Sequence, residues 1–291
     1  MYYYIVNPAA AGGAVNQVQD KLRDFLKELG ISGEFAKTTG PGDAAKMTAA
    51  AIEKGYTTIV AVGGDDTVNE IINGISEEKV AVGIIPMGSS NSLARHFGIV
   101  GWQQACTVLA ARRITAYRLM AAGQRYFLSS LSLGFETDLD KNVDSSDPKL
   151  RSRLWQFKAG WGRAQHYQSL ESKIKLDNLA IESPIFSLSV ANQKFLDPLQ
   201  DDQLVVSMAE SPGRRQLGPY IWQRLRGDSP LQDSATTRLY GTKVLIETEP
   251  ASSIMIDGKV AGRTPIAVRL ADRHIRIITE KPAVGLGQLE R

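Results

Sequence analysis

Two aspartates follow a Gly-Gly pair in the segment AVGGDDTVNE, residues 61–70, directly after a run of apolar residues. Glycine permits positive φ and a close approach of the backbone to an anion, so this pattern is typical of a loop that holds phosphate. Asp65 and Asp66 would bring negative charge to such a site, where they would repel a phosphate unless a metal ion were bound between them. A helix start in which Asp65 only accepts amide hydrogen bonds is the structural alternative for this segment alone.

A second turn of small residues, Gly88-Ser89-Ser90, follows the next apolar run. In an open parallel sheet, ligands bind beyond the carboxyl ends of the strands, where loop amides and helix N-termini provide positive potential. The two turns could therefore form one cleft, although either turn alone would more often be structural.

Strands and helices alternate in the first third of the chain. Apolar runs predict strands at residues 2–6, 33–39, 57–62 and 80–87. Helical spacing of apolar residues predicts helices at 18–29, 42–55, 68–75 and 90–99. Asp43 lies where its side chain can cap the second of these helices. Strands that lie this regularly between helices indicate a parallel sheet covered on both faces.

The pattern changes after about residue 123, where strand-like segments follow one another with turn residues between several of them. We predict two domains. Residues 1–122 form an α/β domain with a parallel sheet, and residues 123–291 form an antiparallel β-sandwich, with the C-terminal tail able to pack back on the first domain.

The composition excludes several classes of protein. With 43% hydrophobic and 22% charged residues over 291 positions, the chain is globular rather than disordered. No apolar run approaches the ~20 residues of a membrane-spanning helix, and the N-terminus lacks the features of a signal peptide. The one cysteine, Cys106, is expected in a core and agrees with a reducing cytoplasm. A net charge of +3 does not argue for nucleic acid, so we expect a cytoplasmic protein with no nucleic-acid partner.

One segment has a pattern suited to a membrane surface. Residues 151–168 carry arginines and a lysine but no acidic residue. Apolar residues recur there at helical spacing, namely Leu154, Phe157, Trp161 and Ala164. The segment is either an amphipathic helix that lies on an anionic membrane or a surface helix that packs its aromatic side chains inward, and the sequence favours neither.

Several motifs recur in a recognisable order. The N-terminal motifs are NPAAAGG (7–13), the segment 38–75 that contains GGDDT, and PMGSSNSLARHFGI (86–99). The C-terminal motifs are LSLGFET (131–137), SVANQ (189–193), DPLQDDQLVV (197–206) and IMIDGKVAG (254–262). In this order and spacing, over nearly the whole chain, they resemble the soluble diacylglycerol kinase and sphingosine kinase family of lipid kinases.

The resemblance implies a nucleotide-binding domain related to phosphofructokinase and NAD kinase, followed by a β-sandwich that takes a lipid alcohol. It implies ATP as the donor, Mg²⁺ as the metal, and Asp257 and Asp65 as catalytic residues, with Asp257 the general base. The implied nucleotide site consists of Asn7, Gly63, Gly64, Asp65, Asp66, Thr67, Glu70, Gly88, Ser89 and Asn91. The implied metal ligands are Asp65 and Glu136, and Asn192 matches an asparagine of the family.

Three departures from the family's motifs bear on activity. The family's loop reads Gly-Gly-Asp-Gly-Thr, so Asp66 places an anionic side chain where backbone should approach phosphate. In the related phosphofructokinases, the same change goes with the use of pyrophosphate. Ser92 replaces a carboxylate of the bacterial members, and Asp66 could restore that charge. Lys259 replaces a glutamate and would weaken Asp257 as a base or contact a phosphate.

Two of the implied residues have ordinary structural alternatives. Asp257 precedes Gly258, and Asp-Gly is among the commonest signals for a tight hairpin turn. Glu136 is more often explained as a surface carboxylate.

We therefore predict a lipid kinase that phosphorylates diacylglycerol or a related lipid alcohol, in the cytoplasm and peripheral at the inner membrane surface. The alternatives are a catalytically silent relative that binds lipid or nucleotide, and a pyrophosphate-dependent kinase. The expected partners are the lipid substrate, an anionic membrane surface and, through edge strands, a second copy of the chain. No spacing in the sequence distinguishes a glycerolipid from a sphingoid base.

Overall fold

The structure is a computed structural model that describes residues 1–77, 79–135, 137, 153–197, 200, 202–211, 217–222 and 236–280. The described residues divide into two compact units. One unit contains those within 1–128, 194–201 and 271–291, and the other contains those within 129–193 and 202–270.

The first unit is built on four parallel strands. They are β1 (Tyr2–Val6), β2 (Gly33–Lys37), β3 (Thr58–Gly63) and β4 (Ala81–Pro86), in the spatial order β2-β1-β3-β4. The helices between and after them are α1 (Ala14–Glu28), α2 (Asp43–Glu53), α3 (Asp65–Gly74), α4 (Ser92–His96) and α5 (Trp102–Ala111). Strands β3 and β4 are buried along their whole length, as expected of strands with both faces covered.

The remaining strands of this unit extend the sheet. Strand β5 (Ile114–Ala122) pairs with β6 (Arg125–Phe127) and with β16 (Ile266–Ile278). The last residues of β16 also pair in parallel with β4, with Arg276 opposite Ala81. A C-terminal strand therefore completes the sheet that the N-terminal residues begin.

Apolar faces of the helices form the core of the first unit. In α1, Val15, Leu22 and Leu26 recur at helical spacing and are buried. Cys106 of α5 lies in the same core, and burial raises the pKa of its thiol to about 12. This cysteine is a packing residue, as the sequence predicted, because the reactive thiolate is scarce at neutral pH.

The second unit is antiparallel. Its six-stranded sheet contains β7 (Ser130–Gly134), β10 (Ser187–Asn192), β11 (Leu204–Ala209), β12 (Thr237–Gly241), β14 (Ser253–Ile256) and β15 (Lys259–Arg263). The order is β12-β11-β10-β7-β14-β15. A further antiparallel set joins β8 (Leu170–Leu176), β9 (Leu179–Ile185), β13 (Lys243–Glu249) and the first residues of β16. The predicted fold class, α/β with a parallel sheet plus an antiparallel β domain, is confirmed.

Two further helices are Arg153–Ala164 and Gln193–Leu196, and residues 217–222 are also helical. In the first, Phe157 and Trp161 pack against a buried cluster of the second unit that contains Phe135, Phe186 and Tyr220. This is the arrangement of a surface helix that turns its aromatic side chains inward, which was one of the two alternatives for residues 151–168. Among the described helices, none combines the length and apolar content needed to cross a bilayer.

The close packing of α2 on α3 gives the first prediction. A Cβ atom added at Gly74 would lie 2.4 Å from the carbonyl oxygen of Ala45 and 2.8 Å from its Cα. We expect Gly74→Ala to lower the free energy of unfolding by about 1–3 kcal/mol, because the two backbones must separate. Gly40→Ala, at an exposed position where an added Cβ meets nothing within 4 Å, is the control. Urea unfolding measures both; equal midpoints for the two variants would contradict the expectation.

Candidate functional site

Loops that follow neighbouring parallel strands lie at one edge of the first unit's sheet. The last residues of β3 and β4, Gly63 and Pro86, are register partners, and the amide of Met87 donates to the carbonyl of Gly63 at 2.9 Å. Asn7 follows β1, which lies beside β3 in the sheet, and the backbone amide of Asn7 donates to the carbonyl of Val62. The chain segments that the sequence singled out are therefore adjacent.

The glycines of this edge are required by contact between the loops. A Cβ at Gly88 would lie 2.5 Å from the Cα of Gly64, and a Cβ at Gly63 would lie 2.5 Å from the Thr67 hydroxyl oxygen. The sequence argument rested partly on positive φ, but none of these three glycines has it; Gly64 has a φ of −98°. The absence of a side chain, and not a left-handed backbone, is what the site uses here.

Asp65 joins the two loops. One carboxylate oxygen, Oδ2, accepts from the amide and the hydroxyl of Ser92, both at 2.9 Å, and Oδ1 accepts from the amide of Leu93 at 3.0 Å. These amides are the first ones of α4, so Asp65 caps that helix from the neighbouring loop. The structural alternative for Asp65, a carboxylate that satisfies amides, is thus part of what the residue does.

Glu70 has a similar role on the other side of α3. Its two carboxylate oxygens accept from the amides of Gly42 and Ala44, at 2.9 and 3.2 Å, at the start of α2. Asp43 instead accepts from the amides of Thr39 and Gly40 and from the Thr39 hydroxyl, at 2.6–3.0 Å. Asp43 therefore holds the loop before α2 while Glu70 caps the helix. The hydrogen bonds from Thr39 lower the pKa of the Asp43 carboxyl.

Asn7, Thr67 and Asn91 shape the same edge. The side-chain amide of Asn7 donates to the Thr67 hydroxyl at 3.4 Å and accepts from the amide of Ala9 at 3.1 Å. Asn91 has a φ of +50°, and its side chain bonds to both the amide and the carbonyl of Gly88. Ser89, within that closed turn, is exposed.

Asp66 is exposed at the second position of α3. Its backbone belongs to a regular helix, so the conformation does not call for the glycine that the family's motif has at this position. An aspartate in the first turn also interacts favourably with the helix N-terminus.

Asp257 lies in the second unit, in the turn between β14 and β15. Asp257 and Gly258 both have positive φ, 50° and 79°, which is the two-residue turn that joins right-twisted strands best. The side chain is nevertheless 9% exposed. Its Oδ1 accepts from the amide and hydroxyl of Ser129 and from the amide of Ser130, at 2.7–3.3 Å. Asp257 is therefore a hairpin-turn residue, and its carboxylate is also held in one position, which is compatible with the general base that the resemblance implies.

The other residues of the second domain are placed as follows. Asn192 is buried and donates to the Asp202 carboxylate at 3.2 Å, and Lys259 is exposed on β15. Glu136 lies outside the described residues. The predicted nucleotide residues are thus all in the first unit, and Asp257 is in the other.

The carboxylates of the first unit fit one kind of metal site. The described part of the chain contains no group of three or more His, Cys, Asp or Glu side chains that could hold a metal ion. Mg²⁺ does not need such a cage, since it is commonly held by one or two carboxylates together with substrate phosphates and water. Asp65 and Asp66 provide two carboxylates in the first turn of α3, which is the number that such a site uses.

Sequence reasoning missed the partners of the carboxylates. From the sequence, Ser92 was interpreted only as the replacement of a carboxylate, whereas its hydroxyl and its backbone amide both donate to Asp65. Ser129, which donates to Asp257, was not considered. The signal for Ser92 was its place just before an apolar helix, which is typical of a capped start.

The contact of Ser92 with Asp65 gives the second prediction. Ser92→Asp would put two carboxylates within about 3–4 Å of each other. We expect it to lower the melting temperature more than Ser92→Ala does, and millimolar Mg²⁺ to recover part of the difference. Ser90→Asp, which adds the same charge to the same loop, is the control, and differential scanning calorimetry measures all three. Equal melting temperatures for Ser92→Asp and Ser92→Ala without Mg²⁺ would contradict it.

Comparison with known proteins agrees with these observations. Residues 1–122 match the family model described as the diacylglycerol kinase catalytic domain. A Staphylococcus haemolyticus protein named diacylglycerol kinase is 23% identical over 292 residues, which is 95% of this chain and 87% of that protein. The Bacillus subtilis protein of the same name is 23% identical over 293 residues, 95% of each chain.

A solved structure shows the same fold. The crystal structure of a diacylglycerol kinase from Bacillus anthracis superposes with a TM-score of 0.71 at 21% identity, over 97% of this chain and 98% of that one. The resemblance that the motifs indicated is confirmed, since residues 1–122 match the family model of the diacylglycerol kinase catalytic domain and the two relatives named diacylglycerol kinase are similar over nearly the whole chain.

Proposed function

We propose that the protein is a lipid kinase that transfers a phosphoryl group from ATP to the hydroxyl of diacylglycerol or a related lipid alcohol. The observation that carries the proposal is the contact between the loops that follow β3 and β4. Gly64 there packs against Gly88, and the carboxylate of Asp65 bonds to the start of α4. The family match to residues 1–122 and the relatives named diacylglycerol kinase support it.

Residues 1–122 would bind the nucleotide and residues 123–291 the lipid. Backbone amides at the start of α3 are directed to the edge where the loops meet, and helix N-termini favour bound phosphate. The proposed nucleotide residues are Asn7, Gly63, Gly64, Asp65, Asp66, Thr67, Glu70, Gly88, Ser89 and Asn91. Of these, Asp65, Glu70 and Asn91 act by holding loops in position, because their side chains bond to backbone amides.

Asp65 and Asp66 would hold Mg²⁺ together with the donor's phosphates. When bound, the ion neutralises negative charge that develops on the transferred group and its leaving oxygen. Asp65 has both oxygens engaged with α4, so its orientation is fixed before any ligand binds. Asp66 is exposed, so its carboxylate is accessible from solvent. Glu136 is a third proposed ligand, on its motif position alone.

Asp257 would act as the general base. It would take the proton from the lipid hydroxyl as that oxygen attacks the terminal phosphorus and the bond to the bridging oxygen breaks. The three hydrogen bonds to Oδ1 from Ser129 and Ser130 fix the carboxylate in one orientation, which a base requires.

The substrate class implies where the enzyme works. A lipid alcohol lies in a bilayer, so we propose transient contact with an anionic membrane surface, in the cytoplasm and at its inner face. We also propose that the chain forms a homodimer, and that it has no nucleic-acid partner. Exposed apolar residues on edge strands, such as Leu179 and Tyr240, support the dimer.

Asp66 gives the third prediction. Its charge should oppose ATP unless Mg²⁺ lies between them, and Asp66 is proposed to hold that ion, so we expect turnover with ATP and Mg²⁺ by the parent and at least a tenfold lower kcat/KM for Asp66→Gly. Asp66→Asn, which keeps the size and removes the charge, separates steric from electrostatic effects. Mass spectrometry of lipid extracted from mixed micelles reports the product.

The same assay distinguishes the alternatives. Parallel reactions contain ATP, GTP or pyrophosphate. Turnover by the parent with pyrophosphate alone would replace ATP as the donor, and the change at Asp66 is the observation that favours this second candidate. No product from any donor, lipid or variant would overturn the kinase and leave a binding protein.

Asp257 gives the fourth prediction. Asn is as well suited as Asp to a turn with positive φ, and its side-chain oxygen can accept the same bonds from Ser129. We therefore expect Asp257→Asn to keep the melting temperature of the parent while kcat falls about 100-fold or more, because the base is lost. Unchanged kcat would leave Asp257 as a turn residue only, and Asp177→Asn, in another positive-φ turn, is the control.

A further inference from the structure

Three serines form a row across the six-stranded sheet of the second unit. Ser189 of β10 pairs with Ser132 of β7 on one side and with Ser207 of β11 on the other. Register partners in a sheet place their side chains on the same face. The row therefore puts three hydroxyl groups side by side in the middle of the sheet.

The face that carries this row is made of small residues. Alternation along β7, β10 and β11 places Ser130, Ser132, Gly134, Ser187, Ser189, Ala191, Val205, Ser207 and Ala209 on one face. The apolar residues between them, such as Leu131, Leu188 and Val206, occupy the opposite face. A sheet that needed only an apolar core would not place serine at successive positions on a buried face.

Aromatic side chains lie beside the middle of the row, one same-face position along its central strand β10. Ser187, two residues before Ser189 on the same face, has its hydroxyl 2.8 Å from the hydroxyl of Tyr220. Tyr220 belongs to the buried cluster that also contains Phe135 and Phe186. The small polar face and an aromatic cover therefore meet in the interior of the second unit.

Two of the hydroxyls are buried and lack a hydrogen-bond partner. Ser189 and Ser207 are each 2% exposed, and neither hydroxyl oxygen has a partner in the described part of the chain. They do not bond to each other although they are cross-strand neighbours. Buried hydroxyls without partners cost free energy, and buried polar groups in proteins are nearly always satisfied. The row therefore indicates a missing partner.

We propose that this serine row is a binding site for the carbonyl oxygens of an acylated lipid, and that it makes the protein selective for lipids with ester or amide groups. The inference rests on the proposed lipid kinase function, whose substrate class it narrows. Serine hydroxyls can donate to a carbonyl oxygen, which is an acceptor only. An aromatic and small-residue surface suits the adjoining acyl chain.

The position of the row agrees with the proposed base. Asp257 bonds to Ser129 and Ser130 at the start of β7, two residues from Ser132. Ser132 therefore lies about 7 Å from Ser130 along β7, and each further serine of the row lies about 5 Å away on the next strand. In 1,2-diacylglycerol the free hydroxyl oxygen lies about 5–7 Å from the ester carbonyl oxygens, and a hydrogen bond at each end extends this reach to about 10–12 Å. A sphingoid base carries no carbonyl to place there.

The test compares two lipids that differ only in their carbonyls, 1,2-dioleoylglycerol and its dialkyl ether, 1,2-dioleylglycerol. Each is presented in mixed micelles to the full-length protein with ATP and Mg²⁺. We expect the parent to prefer the ester by about tenfold in kcat/KM, the effect of two neutral hydrogen bonds. In Ser189→Ala/Ser207→Ala the ester-to-ether ratio should fall to about one.

Melting temperatures distinguish this role from a structural one. The double variant should melt no lower than the parent, because it removes hydroxyls that have no protein partner. Ser172→Ala is the matched control: Ser172 is also buried, but its hydroxyl donates to the carbonyl of Ser183 at 2.6 Å. This control should melt lower than the parent and keep the parent's ester-to-ether ratio.

Three outcomes would overturn the inference: no ester preference in the parent, an ester preference that survives in the double variant, or a fall in melting temperature like that of Ser172→Ala. Equilibrium binding of the two radiolabelled lipids is measured alongside turnover. If neither lipid is phosphorylated but the parent binds the ester preferentially and the double variant does not, the kinase proposal fails and the serine row stands. If the parent binds both lipids equally, the serine row is not a carbonyl-binding site, whether or not either lipid is phosphorylated.

Discussion

The backbone contact between Gly64 and Gly88 is the constraint on which the rest of the candidate site depends. A single carbon atom added to Gly88 would come within 2.5 Å of the Cα of Gly64. Because the loops after β3 and β4 meet without side chains between them, the carboxylate of Asp65 can reach the first amides of α4. The residue types at this edge are therefore set by contacts within the protein before any ligand is considered.

Helix α3 connects its two neighbours through carboxylates. Asp65 binds the start of α4, and Glu70 binds the start of α2, so each negative charge lies at the positive end of a neighbouring helix. The three helix N-termini at this edge are thus fixed relative to one another by side chains of one helix. Such an arrangement is preorganised, since the first turn of α3 is fixed in position before any ligand binds.

Local patterns predicted much of the fold. Apolar runs and helical spacing located β1 to β4 and α1 to α3, because strands with both faces buried and helices with one apolar face leave clear periodicities. The contacts of Asp65 and Glu70 could not be predicted, since their partners lie 27 and 28 residues away and depend on how the helices pack. The role of Gly88 also required coordinates, because a glycine that avoids a clash and one that adopts positive φ look the same in a sequence.

The serine row of the second unit could not be predicted from the sequence either. Ser132, Ser189 and Ser207 are 57 and 18 residues apart in the chain and belong to three adjacent strands, of which β7 and β10 are separated in the sequence by two strands of the other sheet. Each serine alone is an ordinary strand residue. Only the register shows that the hydroxyls are adjacent and that two of them are buried without a partner.

The course of β16 has a consequence for how the chain is made. Its first residues pair with β13 in the second unit, and its last ones pair with β4 and contribute Ile275, Ile277 and Ile278 to the core of the first. The first unit is therefore incomplete until β16 has been synthesised, although its first 128 residues emerge early. Until then β4 presents an unpaired strand edge that Arg276 and Ile277 cover in the folded structure.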